Sequence, residues 1–155
     1  MKKLMLFFVL ISLGILFFVQ AGYSQKNIKL DISGKTGYFD GVWSTHNFTS
    51  DVNLVISFKG KTIYYIETLI STMVMYYIFK DEDVTKEGSD GKYYHIKLGD
   101  CDRCDNRVWS FDINLNNMQL NRNFGSYSEI WYISNYELLN NSQTNEYLNS
   151  QGINN

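Results

Sequence analysis

The chain has no proline, and only two cysteines and two histidines among its 155 residues. Without proline, polyproline and collagen-like structure are excluded. Charged residues make up 19%, and neither sign dominates, the formal net charge being −2. Removing Lys2 and Lys3 leaves 12 basic residues against 16 acidic ones, a net −4. A basic face for nucleic acid or an anionic membrane is therefore not expected. His46 and His95 lie far apart, and no serine or cysteine signature accompanies either. No catalytic triad or acid–base constellation follows from them, so neither enzymatic activity nor a cofactor is expected. Beyond Val19 no apolar run is long enough to span a bilayer.

What the chain does have is apolar and aromatic material. Hydrophobic residues reach 45%, with 12 Tyr, 10 Phe and 3 Trp, which argues against disorder and for one domain with a real core. Lys2 and Lys3 precede an apolar run from Leu4 to Val19, followed by small and polar residues up to Gln25. That pattern is a secretory signal over residues 1–24, with cleavage after Ala21 or Ser24. Sixteen residues of helix span about 24 Å, short of the roughly 30 Å hydrocarbon core, so an uncleaved anchor is the weaker reading. The expectation is a secreted or periplasmic protein that meets the membrane only through this transient segment.

Past the leader the pattern changes to alternation. Residues 25–37 read as a lead-in, 38–137 as the folded domain and 138–155 as a polar, Asn-rich tail. Val52, Leu54, Ile56 and Phe58 alternate with polar positions as in a half-buried strand. Gly60-Lys61 reads as a two-residue hairpin turn, and Thr62–Thr68 as the returning strand. Met73–Phe79 and Tyr93–Leu98 follow, separated by a polar loop. Arg107–Leu115 carries Trp109, Phe111, Ile113 and Leu115 on one face, turns at Asn116-Asn117 and returns along Met118–Phe124. Ser128–Tyr136 closes the set, and Val42–Phe48 opens it. These eight short strands predict an all-β domain, an eight-stranded antiparallel up-and-down barrel, with a β-sandwich as the alternative.

Gly41-Val42-Trp43, at the head of this strand series, is a G-x-W motif. On that motif and the hairpin series, residues 38–136 resemble the small bacterial lipocalin-like (calycin) barrels. The resemblance implies that Trp43 plugs one end of the barrel beneath a cation from late in the chain. The last strand offers no Lys or Arg for that place, and Arg122 is the nearest substitute. Pairing Leu115 with Met118 across the Asn-Asn turn sets Ile113 opposite Leu120 and Phe111 opposite Arg122. Arg122 then shares the apolar face of its neighbours.

A guanidinium on an apolar face needs a partner. It would bind the carboxylate or phosphate of a lipid-like ligand, or it would stack on Trp43 or pair with Asp112 or Glu129. The ligand reading gives a lining of Trp43, Leu54, Ile56, Phe58, Trp109, Phe111, Ile113, Leu120 and Arg122. Cys101-Asp102-Arg103-Cys104 suits a disulfide in an oxidising compartment. A redox or zinc role (the latter recruiting His95) lacks the helix or second ligand pair that such chemistry uses. The acidic loop at Asp81-Glu82-Asp83 lacks the spacing of a calcium loop and reads as a solvated turn. No metal site is expected. The adjacent pairs Tyr64-Tyr65, Tyr76-Tyr77 and Tyr93-Tyr94 each send one ring inward and one outward.

Two functions remain. The first is an exported barrel binding an apolar or amphipathic, lipid-like molecule. The second is a non-enzymatic secreted or envelope protein with a solid core, acting through surface contacts with a protein partner.

Overall fold

A computed structural model describes residues 26–39, 42–87, 90–99, 107–124 and 127–154. Residues 1–25, with the expected leader, as well as Gly41 and both cysteines, lie outside the described residues. The described chain forms nine antiparallel strands and a helix. The strands are β1 (Asn27–Phe39), β2 (Val42–Ser57), β3 (Thr62–Thr68), β4 (Thr72–Ile78), β5 (Val84–Glu87), β6 (Tyr93–Lys97), β7 (Ser110–Asn114), β8 (Gln119–Asn123) and β9 (Ser128–Leu139). Helix α1 spans Asn141–Ser150.

The sheet order is β4-β3-β2-β1-β9-β8-β7-β6-β5. Every consecutive pair of strands is adjacent, and β9 returns to β1, with one exception: β4 and β5 form the two edges. The result is an up-and-down sheet curled into a half-barrel whose seam falls in mid-chain. Among the described residues no ladder joins β4 to β5; at the end of β4 a single bond runs from Gly99 N–H to the Ile78 carbonyl. The sandwich alternative is thereby set aside.

Two strands were not anticipated. Residues 27–37 are not a lead-in but most of β1, a central strand paired on both sides. Ile28, Leu30 and Ile32 alternate with Lys29 and Asp31, and the three apolar side chains are buried in the interior. The polar loop after Phe79 also holds a 3-10 turn at Asp81–Asp83 and the short edge strand β5. The two strands expected at 42–48 and 52–58 are one strand, β2, broken at a register shift. There Ile32 faces Val52 while Gly34 already faces Asn47, so β2 spends four residues where β1 spends Ser33 alone. Gly34 fits because a Cβ there would stand 2.6 Å from the His46 carbonyl oxygen.

The concave face collects one residue in two from each strand. Leu54, Ile56, Ile63, Ile96, Phe111, Ile113 and Leu120 are all fully buried there. Edge-to-face ring pairs fill the space between sheet walls: Phe58 with Phe79 at 6.1 Å, Tyr77 with Phe111 at 5.2 Å, and Tyr65 with Trp131 at 5.7 Å. Each such side chain contributes roughly 1.5–3 kcal/mol by leaving water. The tyrosine pairs divide as their alternation requires, with Tyr65, Tyr77 and Tyr94 joining the interior.

On the convex face a second, smaller core forms from Val55, Tyr64, Ile66, Leu148 and Ile153. It exists because the presumed tail is helical. Asn140 caps α1, accepting from Gln143 N–H while its own N–H donates to Gln143 Oε1, both at 2.9 Å. Gly152, with φ of +77°, ends it, and Ile153 N–H then reaches back to the Leu148 carbonyl. Thr144 and Leu148, one turn apart, face the sheet. Buried Asn27 ties the pieces together, donating to Thr144 Oγ1 at 2.8 Å and accepting from Phe58 N–H at 2.9 Å.

Candidate functional site

The register expected around Arg122 is the one observed: Phe111 stands opposite Arg122 and Ile113 opposite Leu120. Arg122 points into the half-barrel and is 8% exposed. Its Nη1 lies 3.4 Å from Glu129 Oε2, and its Nη2 donates to the Tyr77 hydroxyl at 3.1 Å. The guanidinium sits 4.9 Å from the Phe124 ring centre and 5.2 Å from that of Trp131. Glu129, equally buried, also accepts from Trp131 Nε1–H at 3.0 Å and faces Lys35 Nζ at 3.3 Å. Both carboxylate oxygens are thus engaged. Of the partners weighed for Arg122, Glu129 is the one it meets, and the indole it covers is Trp131.

A second polar centre adjoins this one through the contact between the Tyr65 and Trp131 rings. The Tyr65 hydroxyl and the Ser50 hydroxyl each donate to Glu67, both at 2.7 Å. Burial, reinforced by the bond to Glu67, holds the Tyr65 phenol far above its ordinary range, so it remains a donor. Those same bonds, Tyr65 first and Ser50 next, pull the Glu67 carboxyl below its ordinary value.

The structure brings together Leu54, Ile56, Phe58, Phe111, Ile113, Leu120 and Arg122 on the concave face. Two expected members are elsewhere. Trp43 does not plug the barrel: it is 54% exposed, with its ring against Tyr38 at 5.9 Å. The reason is the length of the β1–β2 hairpin. β9 pairs with β1 only up to Thr36, and β3 begins its pairing with β2 at Asp51, so the hairpin tip runs past both neighbours. Trp109 is also outside, at 63% exposure, whereas Val108 is buried. Trp109 N–H donates to the Asn123 carbonyl although Ser110 is the register partner of Asn123. Two residues against one make a β-bulge, which turns Trp109 outward from the stripe it shares in sequence. Conversely Trp131 and Lys35 belong to the interior cluster and were not singled out; the alternation Glu129, Trp131, Ile133 was the available signal for Trp131.

The bulge borders an ordered polar row on the convex face. His95 Nδ1 bonds Asp112 Oδ1, and Asn123 Nδ2 donates to Asp112 Oδ2 at 2.7 Å and to Ser110 Oγ at 2.9 Å. No cluster of three or more His, Cys, Asp or Glu suited to a metal occurs among the described residues. Elsewhere an open groove of ≈ 720 Å³ lies at the β1–β2 register shift, between Asp31, Asp51, Tyr147 and Gln151. Cys101 and Cys104, expected to form a disulfide, fall outside the described residues. Compared with protein-family models, curated proteins and solved structures, the chain matches none.

Proposed function

We propose that this is an exported, non-enzymatic protein that acts through its outer surface, with the concave interior serving as its structural core. The observation that carries this reading is the Arg122–Glu129 pair. Arg122 was the interior group expected to hold a ligand's carboxylate or phosphate, and it already has a buried carboxylate, a phenol and aromatic faces around it. A ligand anion would have to displace Glu129 from Arg122, leaving that buried carboxylate with only Lys35 and Trp131 at a cost of about 2 kcal/mol. Kinship with the lipocalin-like barrels, resting on Gly41-Val42-Trp43, would have to stand without the tryptophan plug. The leader supports export, and among the described residues no helix is long and apolar enough to cross a membrane.

The test is a fluorescence titration of the purified protein with an anthroyloxy-labelled fatty acid. This reading expects no saturable signal. Saturable uptake that Arg122→Ala weakens would overturn it in favour of the lipid-binding barrel.

A further inference from the structure

We propose that the convex face around Trp109 is a binding site for a neutral, hydroxyl-rich ligand, a polysaccharide chain. The inference deepens the surface-acting reading above and rests on it. Trp109 is aimed outward by a β-bulge, a device that re-aims single side chains in sheets. Trp109 as a residue is 63% exposed. One residue on begins the row Ser110, Asn123, Asp112 and His95, fixed in place by its own hydrogen bonds.

The vacant hydrogen-bonding capacity of that row defines the ligand. Asp112 can only accept, so the hydrogen of that bond is on His95 Nδ1, and in the neutral ring Nε2 is the acceptor. Both Asn123 amide hydrogens are used, which leaves its Oδ1 as an acceptor. The Ser110 hydroxyl accepts from Asn123 and, at 8% exposure, anchors the row from beneath. The row therefore offers mainly acceptors, the complement of a ligand carrying many O–H groups. Phosphates and carboxylates bring only acceptors and would face the Asp112 charge. Cations are disfavoured by Lys97, the register partner of Ser110 on the same face. A flat indole beside such a row suits a pyranose ring, whose axial C–H faces are apolar and whose rim is polar.

Affinity electrophoresis in native gels containing dextran, a β-1,3-glucan, xyloglucan or mannan tests this. Retardation by at least one of them is expected. Trp109→Ala should reduce the apparent affinity at least tenfold and His95→Ala several-fold, while Trp43→Ala leaves it unchanged. Trp109→Phe, which keeps an aromatic platform, should recover part of the binding. Circular dichroism of each variant establishes that it is folded. Retardation by none of the four, or retardation indifferent to Trp109, overturns the inference, as does binding confined to polylysine or heparin. Uptake of the labelled fatty acid would instead refute the surface-acting reading itself, so the two failures are told apart.

Discussion

Removing the Glu129 carboxylate probes the interior most sharply. In Glu129→Ala the Arg122 guanidinium, 8% exposed, loses its counter-ion, and the Trp131 indole N–H loses its acceptor. Breaking a buried pair from one side costs about 3–5 kcal/mol, because the remaining charge is stranded. A domain of this size has a total stability of about 5–15 kcal/mol, so the variant should sit near its unfolding threshold. At about 3–5 °C per kcal/mol, the melting temperature should fall by about 15 °C. Arg122→Met should cost less, about 2 kcal/mol, because Lys35 and Trp131 still face Glu129. The double variant Arg122→Met/Glu129→Leu removes both charges and should return to within about 1 kcal/mol of the parent. Urea unfolding followed by circular dichroism, with Glu129→Leu as the matching single variant, gives all four corners of the cycle. A loss below about 1 kcal/mol in Glu129→Ala, or costs that simply add in the double variant, would refute the buried-pair argument.

Other outcomes follow from the same contacts. Glu67 has a folded-state pKa below its unfolded value. It therefore stabilises the fold above its unfolded pKa, and that contribution fades as pH falls through the folded one. Tyr65→Phe removes the leading cause, so the Glu67 resonance in a carbon-detected NMR titration should move to a higher midpoint; an unchanged midpoint would contradict the assignment. Leu148→Ala, emptying a fully buried site beneath α1, should cost about 2–5 kcal/mol in urea unfolding. A cost near zero would mean that the helix does not dock. Gly34→Ala places a methyl 2.6 Å from the His46 carbonyl oxygen and should lower the melting temperature by several degrees; an unaltered melt would show the hairpin free to shift there.

The features legible in the sequence were those governed by alternation alone. The antiparallel all-β class follows from strands such as 52–58 and 111–115, and the Asn116-Asn117 turn set the register that sends Arg122 inward. Where alternation is interrupted, the reading failed. The bulge at Trp109 and Ser110 reverses a side chain that perfect period-2 counting places inside. The register shift opposite Ser33 merges two expected strands into one and carries Trp43 beyond the barrel. β1 shows clean alternation from Ile28 to Ile32, yet it lies close behind the leader and was taken for part of the approach. Helix α1 has little apolar signal because its buried residues are only Thr144 and Leu148, with Tyr147 packed beside them; its visible marks were the Asn140/Gln143 cap and Gly152. Of the interior partners of Arg122, Glu129 and Trp131 sit on the next strand, whereas Tyr77 comes from β4, far off in sequence, where no local pattern reveals it.

The placement of the three tryptophans is where sequence expectation and structure diverge most, and it decides whether the interior is a core. Indole N–H hydrogen exchange followed by NMR, with peaks assigned through single Trp→Phe variants, reads that placement directly. The account predicts one strongly protected indole, Trp131, whose N–H is bonded to Glu129, and two that exchange rapidly, Trp43 and Trp109. A protected Trp43, or a Trp131 that exchanges as fast as the other two, would contradict it.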